Sequence, residues 1–468
     1  MPPASSATLT EPSPTPDSFD IRIAAVPELS PHPDTVPVLS GEPEPPPSGR
    51  ATVGVSATLA ANEALARRRA RGEPVLALAF GESGLPVHPR LSAELAGTAD
   101  RGAYGPVAGS ERLRAAAAGY WSRRALPTDP AAVVAGPGSK SLLFATLLAL
   151  GTDVAMPRPS WVSYAAQTTL TGATPYFVPA VAGEGGICDP AALEAAVLAS
   201  RGTGRRIGAV LVTLPDNPTG RLASPAAVRD LCAVAERNNL VIISDEIYRD
   251  LVHDPRAEFL SPAQVAPDRT VVTTALSKNL SVGGWRIGVA RMPDGAGGWA
   301  LRDRVLGIAS EIWSAAAGPV QQAAAVALEE PADLTERVER SCALHAVVCR
   351  EAARLCAEAG LDVAPPQAAF YLYPDFSPWR DHLSGRFGVR TGSDLSALLL
   401  ERYGAGTLPG SAFGERPECL RLRLATGLLY GETDDQREQA LAAADPLRLP
   451  WISASLTRFG DILADLAA

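Results

Sequence analysis

The sequence predicts an α/β protein, a mostly parallel seven-stranded sheet in a large domain with a smaller α+β domain beside it. Three observations carry that expectation. From residue 131 to about 292, short apolar runs alternate with amphipathic stretches, the pattern of βα units whose sheet is buried on both faces. After residue 300 long helical periodicity takes over, clearest over 334–359. The residues of unusual chemistry follow the apolar runs, and in open α/β sheets ligands bind beyond the carboxyl ends of the strands.

Residues 1–50 hold 13 of the 42 prolines and seven acids against two arginines, with no helical periodicity. They read as a disordered or extended arm. They also lack the basic start and apolar stretch of a secretory signal. Residues 51–100 are assigned to the N-terminal part of the small domain, 101–330 to the large domain and 331–468 to the C-terminal small domain. The predicted strands are 132–135, 153–157, 174–178, 209–214, 241–244, 271–275 and 287–290. Helices are expected over 139–150, 190–200 and 225–237 between them. The small domain is read from the helix 334–359, the extended runs 369–373 and 420–425, and an amphipathic terminal helix over 452–466.

Composition narrows the function. A net charge of −9 argues against a nucleic-acid partner, because phosphate binding needs a basic face. The longest strongly apolar run, 142–150, is too short to span a bilayer. Six cysteines contain no Cys-x-x-Cys pair. Cys342, Cys349 and Cys356 recur every seven residues, which reads as a core stripe rather than a metal or redox site, so no metal is expected. A cytoplasmic location follows from that cysteine usage.

Lysine is scarce: Lys140 and Lys278 are the only two among 42 basic residues, leaving 40 arginines. An ε-amine can lose its proton when desolvated and attack a carbonyl, which a guanidinium cannot. Both lysines follow apolar runs. Gly136-Pro-Gly-Ser-Lys140 opens a helix, whose free N–H groups attract an anion such as phosphate. Asp216-Asn-Pro-Thr-Gly220 is a turn sequence bearing hydrogen-bonding side chains. Ser244-Asp-Glu-Ile-Tyr248 puts Asp245 at the end of an apolar run, where a carboxylate is costly without a cation. Ser277-Lys-Asn-Leu-Ser-Val-Gly-Gly-Trp-Arg-Ile-Gly288 brings Lys278 and, eight residues on, Arg286. An amine, an acid, an anion cradle and hydrogen-bond donors form the set that pyridoxal phosphate requires.

In this ordered set of motifs the chain resembles the class I/II aminotransferases, fold type I pyridoxal-phosphate enzymes, over roughly residues 75–430. The resemblance implies pyridoxal 5'-phosphate as cofactor and Lys278 as the amine of its Schiff base. It gives Asp245 the pyridine nitrogen, and Asn217 and Tyr248 the ring oxygen. Trp161 matches the aromatic residue stacked on the ring. Ser139, Lys140, Ser277 and Arg286 match the phosphate-binding positions, and Gly81 the glycine near the substrate carboxylate. Tyr104 matches a tyrosine that reaches the phosphate of a neighbouring subunit, which implies a homodimer. Arg421 and Arg423 would share one face of a strand, so register decides between them as the carboxylate clamp. The resemblance places the matching arginine four residues before Ala425, hence Arg421.

The implied activity is transfer of an amino group between an α-amino acid and a 2-oxo acid. The segments Gly81-Glu-Ser-Gly84 and Gln367-Ala-Ala-Phe-Tyr371 depart from the usual pattern near the substrate. Elimination, cyclisation, decarboxylation or oxidation in specialised biosynthesis therefore stands as the alternative. A non-catalytic ligand-sensing domain is disfavoured, because residues 1–50 cannot supply a helix-turn-helix.

Overall fold

The computed structural model describes residues 53–468; the expected arm over 1–50 lies outside the described residues. The described residues form twelve strands in three sheets. β1 (Leu76–Ala77) pairs with β10 (Ala405–Gly406), and β11 (Leu408–Pro409), β12 (Leu422–Ala425) and β9 (Tyr371–Leu372) form a three-stranded sheet. The large sheet contains β2 (Val133–Gly136), β3 (Asp153–Arg158), β4 (Pro175–Pro179), β5 (Ile207–Thr213), β6 (Val241–Asp245), β7 (Thr270–Ala275) and β8 (Gly288–Arg291).

Its order is β2-β8-β7-β6-β5-β3-β4. All pairings are parallel except those of β8, which runs antiparallel to both β2 and β7. This is the mostly parallel seven-stranded sheet expected from the alternation. The central strands β5 and β7 are buried at every residue, as near-continuous apolar runs must be when helices cover both faces. One face carries the helix Ser139–Leu150 with Gly295–Ile312, and clusters about Leu193, Val228 and Leu231 lie between the sheet and the helices Pro190–Gly202 and Pro225–Asn238.

The reversed β8 matters for the site. Its first residue, Gly288, pairs with Gly136 at the end of β2 and with Ala275 at the end of β7. The chain segments leaving β2 and β7 and entering β8 therefore meet at one edge of the sheet.

A second core joins the two ends of the described chain. Leu76, Leu78 and Leu85 pack with Leu344, Val348, Leu395, Leu424 and the terminal helix Pro450–Ala467. Leu91, by contrast, packs with Leu113 and Trp121 among the large-sheet helices, so the chain crosses between cores before residue 91. The helix Ala332–Glu358 bridges them: Leu334 belongs to the large-sheet side and Leu344 to the other. Among the described residues no helix is long and apolar enough to cross a membrane. The cysteines of the heptad stripe are buried and unpaired.

Candidate active site

The carboxyl edge of the large sheet gathers the motif residues. After β2, Gly138 adopts φ 81° as the N-cap of the helix Ser139–Leu150. A Cβ there would lie 2.6 Å from Arg286 Nη2, so only glycine lets that guanidinium lie across the helix start. Arg286 itself takes φ 54° and donates to the Gly283 carbonyl at 2.8 Å. A Cβ on Gly288 would meet the Ser139 backbone nitrogen at 2.5 Å. Burial, and then the neighbouring Arg286, lower the Lys140 pKa. Two cations crowded at a helix N-terminus, beside the buried Ser139 and Ser277, are an arrangement that could hold a dianion. Lys140 Nζ also lies 4.9 Å from the centre of the Trp161 ring, which caps the helix Val162–Leu170.

Asp245 ends β6 and is buried, in register with Thr213 of β5 and Thr273 of β7. Tyr164 Oη donates to its Oδ2 at 2.9 Å and Thr273 Oγ1 to its Oδ1 at 3.1 Å. Tyr164 also contacts the Thr213 hydroxyl at 2.6 Å. Burial raises the Asp245 pKa to about 6, against the pull of these donors and of the Lys278 ammonium. A carboxylate held this way is matched to a cationic partner at the mouth of the strand.

Lys278 follows β7. Its Nζ donates to the Gly81 carbonyl at 2.5 Å, and burial lowers its pKa to about 8, the nearby Arg423 and Arg286 adding to the effect. Asn217 Nδ2 donates to Tyr248 Oη at 3.2 Å, and the Tyr248 and Tyr371 hydroxyls meet at 2.8 Å. Ser83, in the loop after Gly81, contacts the Ser281 hydroxyl. The structure thus brings together Gly81, Ser139, Lys140, Trp161, Asn217, Asp245, Tyr248, Ser277, Lys278 and Arg286.

Two expected residues stand elsewhere. Tyr104 is 92% exposed in the single chain and touches none of these groups. Arg421, chosen from the sequence as the clamp, instead pairs with Asp375 at 3.2 Å and Glu415 at 3.4 Å, and its side chain is 41% exposed. Arg423 takes the central position. It is 1% exposed, donates to Asn217 Oδ1 at 3.4 Å and to the Ala79 carbonyl, and lies over the Tyr371 and Phe413 rings at 4.9 and 5.4 Å. Its Nε has no partner. The physical reason is register. Both arginines share a strand face, but Arg421 bridges to Asp375 beyond the end of β12, about 6.6 Å further along the strand, where two carboxylates capture it.

The sequence reading missed Tyr164, Thr213, Thr273 and Tyr371 as supports of the site. Tyr164 carried a signal, since it lies one helical turn after Trp161. The two threonines are recognisable only once the strands are in register.

Comparison with known proteins gives one consistent result. The model of the family "Aminotransferase class I and II" matches residues 80–440. An aspartate aminotransferase of Geobacillus stearothermophilus is 31% identical over 396 residues, 83% of this chain and 96% of the relative. An aspartate/prephenate aminotransferase of Cereibacter sphaeroides is 32% identical over 392 residues, 80% and 93% of the two chains. Among solved structures, a Thermus thermophilus aspartate aminotransferase superposes with a TM-score of 0.73 at 24% identity, covering 88% of this chain and 97% of its own. One from Thermotoga maritima gives 0.71 at 26% identity, covering 88% and 98%.

Proposed function

The chain belongs to the aminotransferase class I and II family, and on that premise we propose that it binds pyridoxal 5'-phosphate at Lys278 and moves an amino group between an α-amino acid and a 2-oxo acid. The observation that carries the cofactor reading is the pairing of a buried lysine of lowered pKa with a buried carboxylate at neighbouring strand ends. The rest of the site fits the same group. Ser139, Lys140, Ser277 and Arg286 supply donors and charge for its phosphate, Trp161 a ring face, and Asn217 and Tyr248 donors for its ring oxygen.

When bound, pyridoxal phosphate supplies an aldehyde that takes up amines and a ring that withdraws electrons from the substrate α-carbon. Asp245 holds the proton on the ring nitrogen, and Tyr164 and Thr273 hold Asp245. The Lys278 amine, near neutrality by virtue of its burial, takes the α-proton and returns it as general base and acid. The Gly81 carbonyl orients that amine. Arg423 forks the substrate α-carboxylate, using a guanidinium whose Nε is without a protein partner, and the Asn217 and Ala79 oxygens fix its plane. The exposed Tyr104 and the resemblance together support a homodimer, with Tyr104 serving the phosphate of a second copy. The unpaired cysteines support a reducing, cytoplasmic compartment.

The relatives named above make aspartate the first donor to try. Purified protein loaded with cofactor is incubated with amino-acid and 2-oxo-acid pools, and products are identified by mass spectrometry. Paired formation of a new 2-oxo acid and a new amino acid is expected, with borohydride fixing the cofactor on Lys278. Release of ammonia or carbon dioxide in place of that pair, or an adduct on Lys140, overturns the reading.

A further inference from the structure

The geometry points to Asp250 as a positioning residue for Lys278, acting through the side-chain amide of Asn279; this rests on the role of Lys278 proposed above. Asp250 lies in the single turn Arg249–Leu251 that follows Tyr248. Asn279 Nδ2, one residue beyond the lysine, donates to Asp250 Oδ2 at 2.9 Å. Tyr120 Oη stands 3.0 Å from both carboxylate oxygens. Arg124 reaches Oδ1 through Nη2 at 2.9 Å and Nε at 3.2 Å, and its guanidinium continues to Glu330. One carboxylate therefore ties the turn carrying Tyr248, the turn carrying Lys278 and the helix Glu111–Ser122 with its C-terminal extension.

Packing alone does not hold Asn279. On one flank lies a cavity of about 220 Å³ between Asn279, Leu276, Leu280, Leu334 and Val338. On the other is a void of about 10 Å³ bordered by Leu276, Ala324 and Leu328, the space of a single water. Asn279 Oδ1 has no partner. With a cavity on one side and a water-sized void on the other, the hydrogen bond to Asp250 is the directional restraint on the Asn279 side chain. A catalytic amine displaced by 1 Å can lose about two orders of magnitude in rate. Glu330, at the far end of Arg124, makes no contact with the lysine turn; its pairs serve stability.

The test uses the full chain and two readouts: kcat and KM of the loaded enzyme, and the rate at which apoprotein captures pyridoxal phosphate, followed by visible absorbance. Asp250→Ala and Asn279→Ala are each expected to slow both capture and kcat by about 10- to 100-fold, with KM changed less than about threefold. The double variant should be no slower than the slower single one, because both act through one bond. Asp250→Asn keeps an acceptor for Asn279 and should recover most of the rate. Glu330→Gln should lower Tm while leaving capture and kcat within about twofold of the original chain. Additive losses in the double variant overturn the inference. So does an Asp250→Ala protein with lowered Tm but unchanged capture and kcat. Should Asp250→Ala fail to fold, Asn279→Ala and Asp250→Asn decide by the same readouts. Failure of the unmodified chain to capture the cofactor overturns the Lys278 role itself, a distinguishable result.

Discussion

Replacing Arg423 by alanine tests the central assignment of the site. The guanidinium is 1% exposed, burial lowers its pKa, and among the described residues no carboxylate lies within ion-pair distance of it. Its protein partners are two neutral oxygens and two aromatic rings, so a substrate carboxylate would be the anion that completes it. Truncating one partner of a buried charge-assisted pair costs about 2–5 kcal/mol, and each 1.4 kcal/mol is tenfold. The variant should thus lose roughly 30-fold to several thousand-fold in kcat/KM. Arg423→Lys keeps the charge but not the fork and should fall between. Arg421→Ala removes a part-exposed guanidinium from Asp375 and Glu415 and should stay within about threefold in kcat/KM. The assay is steady-state turnover with the donor that proves fastest in the pool experiment. The cofactor absorbance serves as a control, since neither arginine touches the phosphate cradle. Equal losses in the two alanine variants, or a larger one at Arg421, would refute the register argument.

Three further outcomes are expected. The Asp245 pKa in the folded chain is raised from its usual 3.8 to about 6, so folding takes up a proton between those values. The associated stability is present below about pH 4 and lost as pH rises through about 6. Apoprotein carrying Asp245→Asn should therefore gain about 3 kcal/mol over the original chain between pH 4 and pH 7, measured by denaturant unfolding, while losing at least about 100-fold in kcat; a pH-independent difference counts against a buried, ionising carboxylate. Burial lowers the Lys278 pKa to about 8, so cofactor capture by apoprotein should accelerate as the amine deprotonates, with a midpoint near pH 8; a midpoint above pH 10 would mean an ordinary solvated lysine. Gly138→Ala adds a Cβ 2.6 Å from Arg286 Nη2 at φ 81° and should weaken cofactor affinity by at least about tenfold, read by equilibrium titration; unchanged affinity would remove Arg286 from the phosphate cradle.

The large sheet was legible because buried parallel strands are short, nearly continuous apolar runs. The expected helix over 139–150 coincides with the structure, and the strand limits shift by two residues at most. The small domain was less legible. Its strands β1, β9, β10 and β11 contain two residues each, too few for alternation to appear. Arg421 was chosen over Arg423 from the sequence for a related reason. Side-chain period identifies a face but not a position along it, and only Asp375 and Glu415, distant in sequence, show which arginine is intercepted. The same limit hid the Tyr164–Thr213–Asp245–Thr273 network and the Asp250–Asn279 bond, whose members lie on different βα units.

Both lysines of this chain stand at the carboxyl edge of one sheet, Lys278 buried and Lys140 beside Arg286. Every other side-chain cation is a guanidinium or an imidazole. Acylation, methylation or conjugation at an ε-amine, by an enzyme or a reactive metabolite, therefore has no neutral surface position in this chain to act on. On the function proposed above, such a modification would strike the cofactor cradle or the catalytic amine, so lysine marking and loss of activity would be the same event. On the same premise, a reagent read out at lysine ε-amines reports on the site, and the proposed cofactor would shield them.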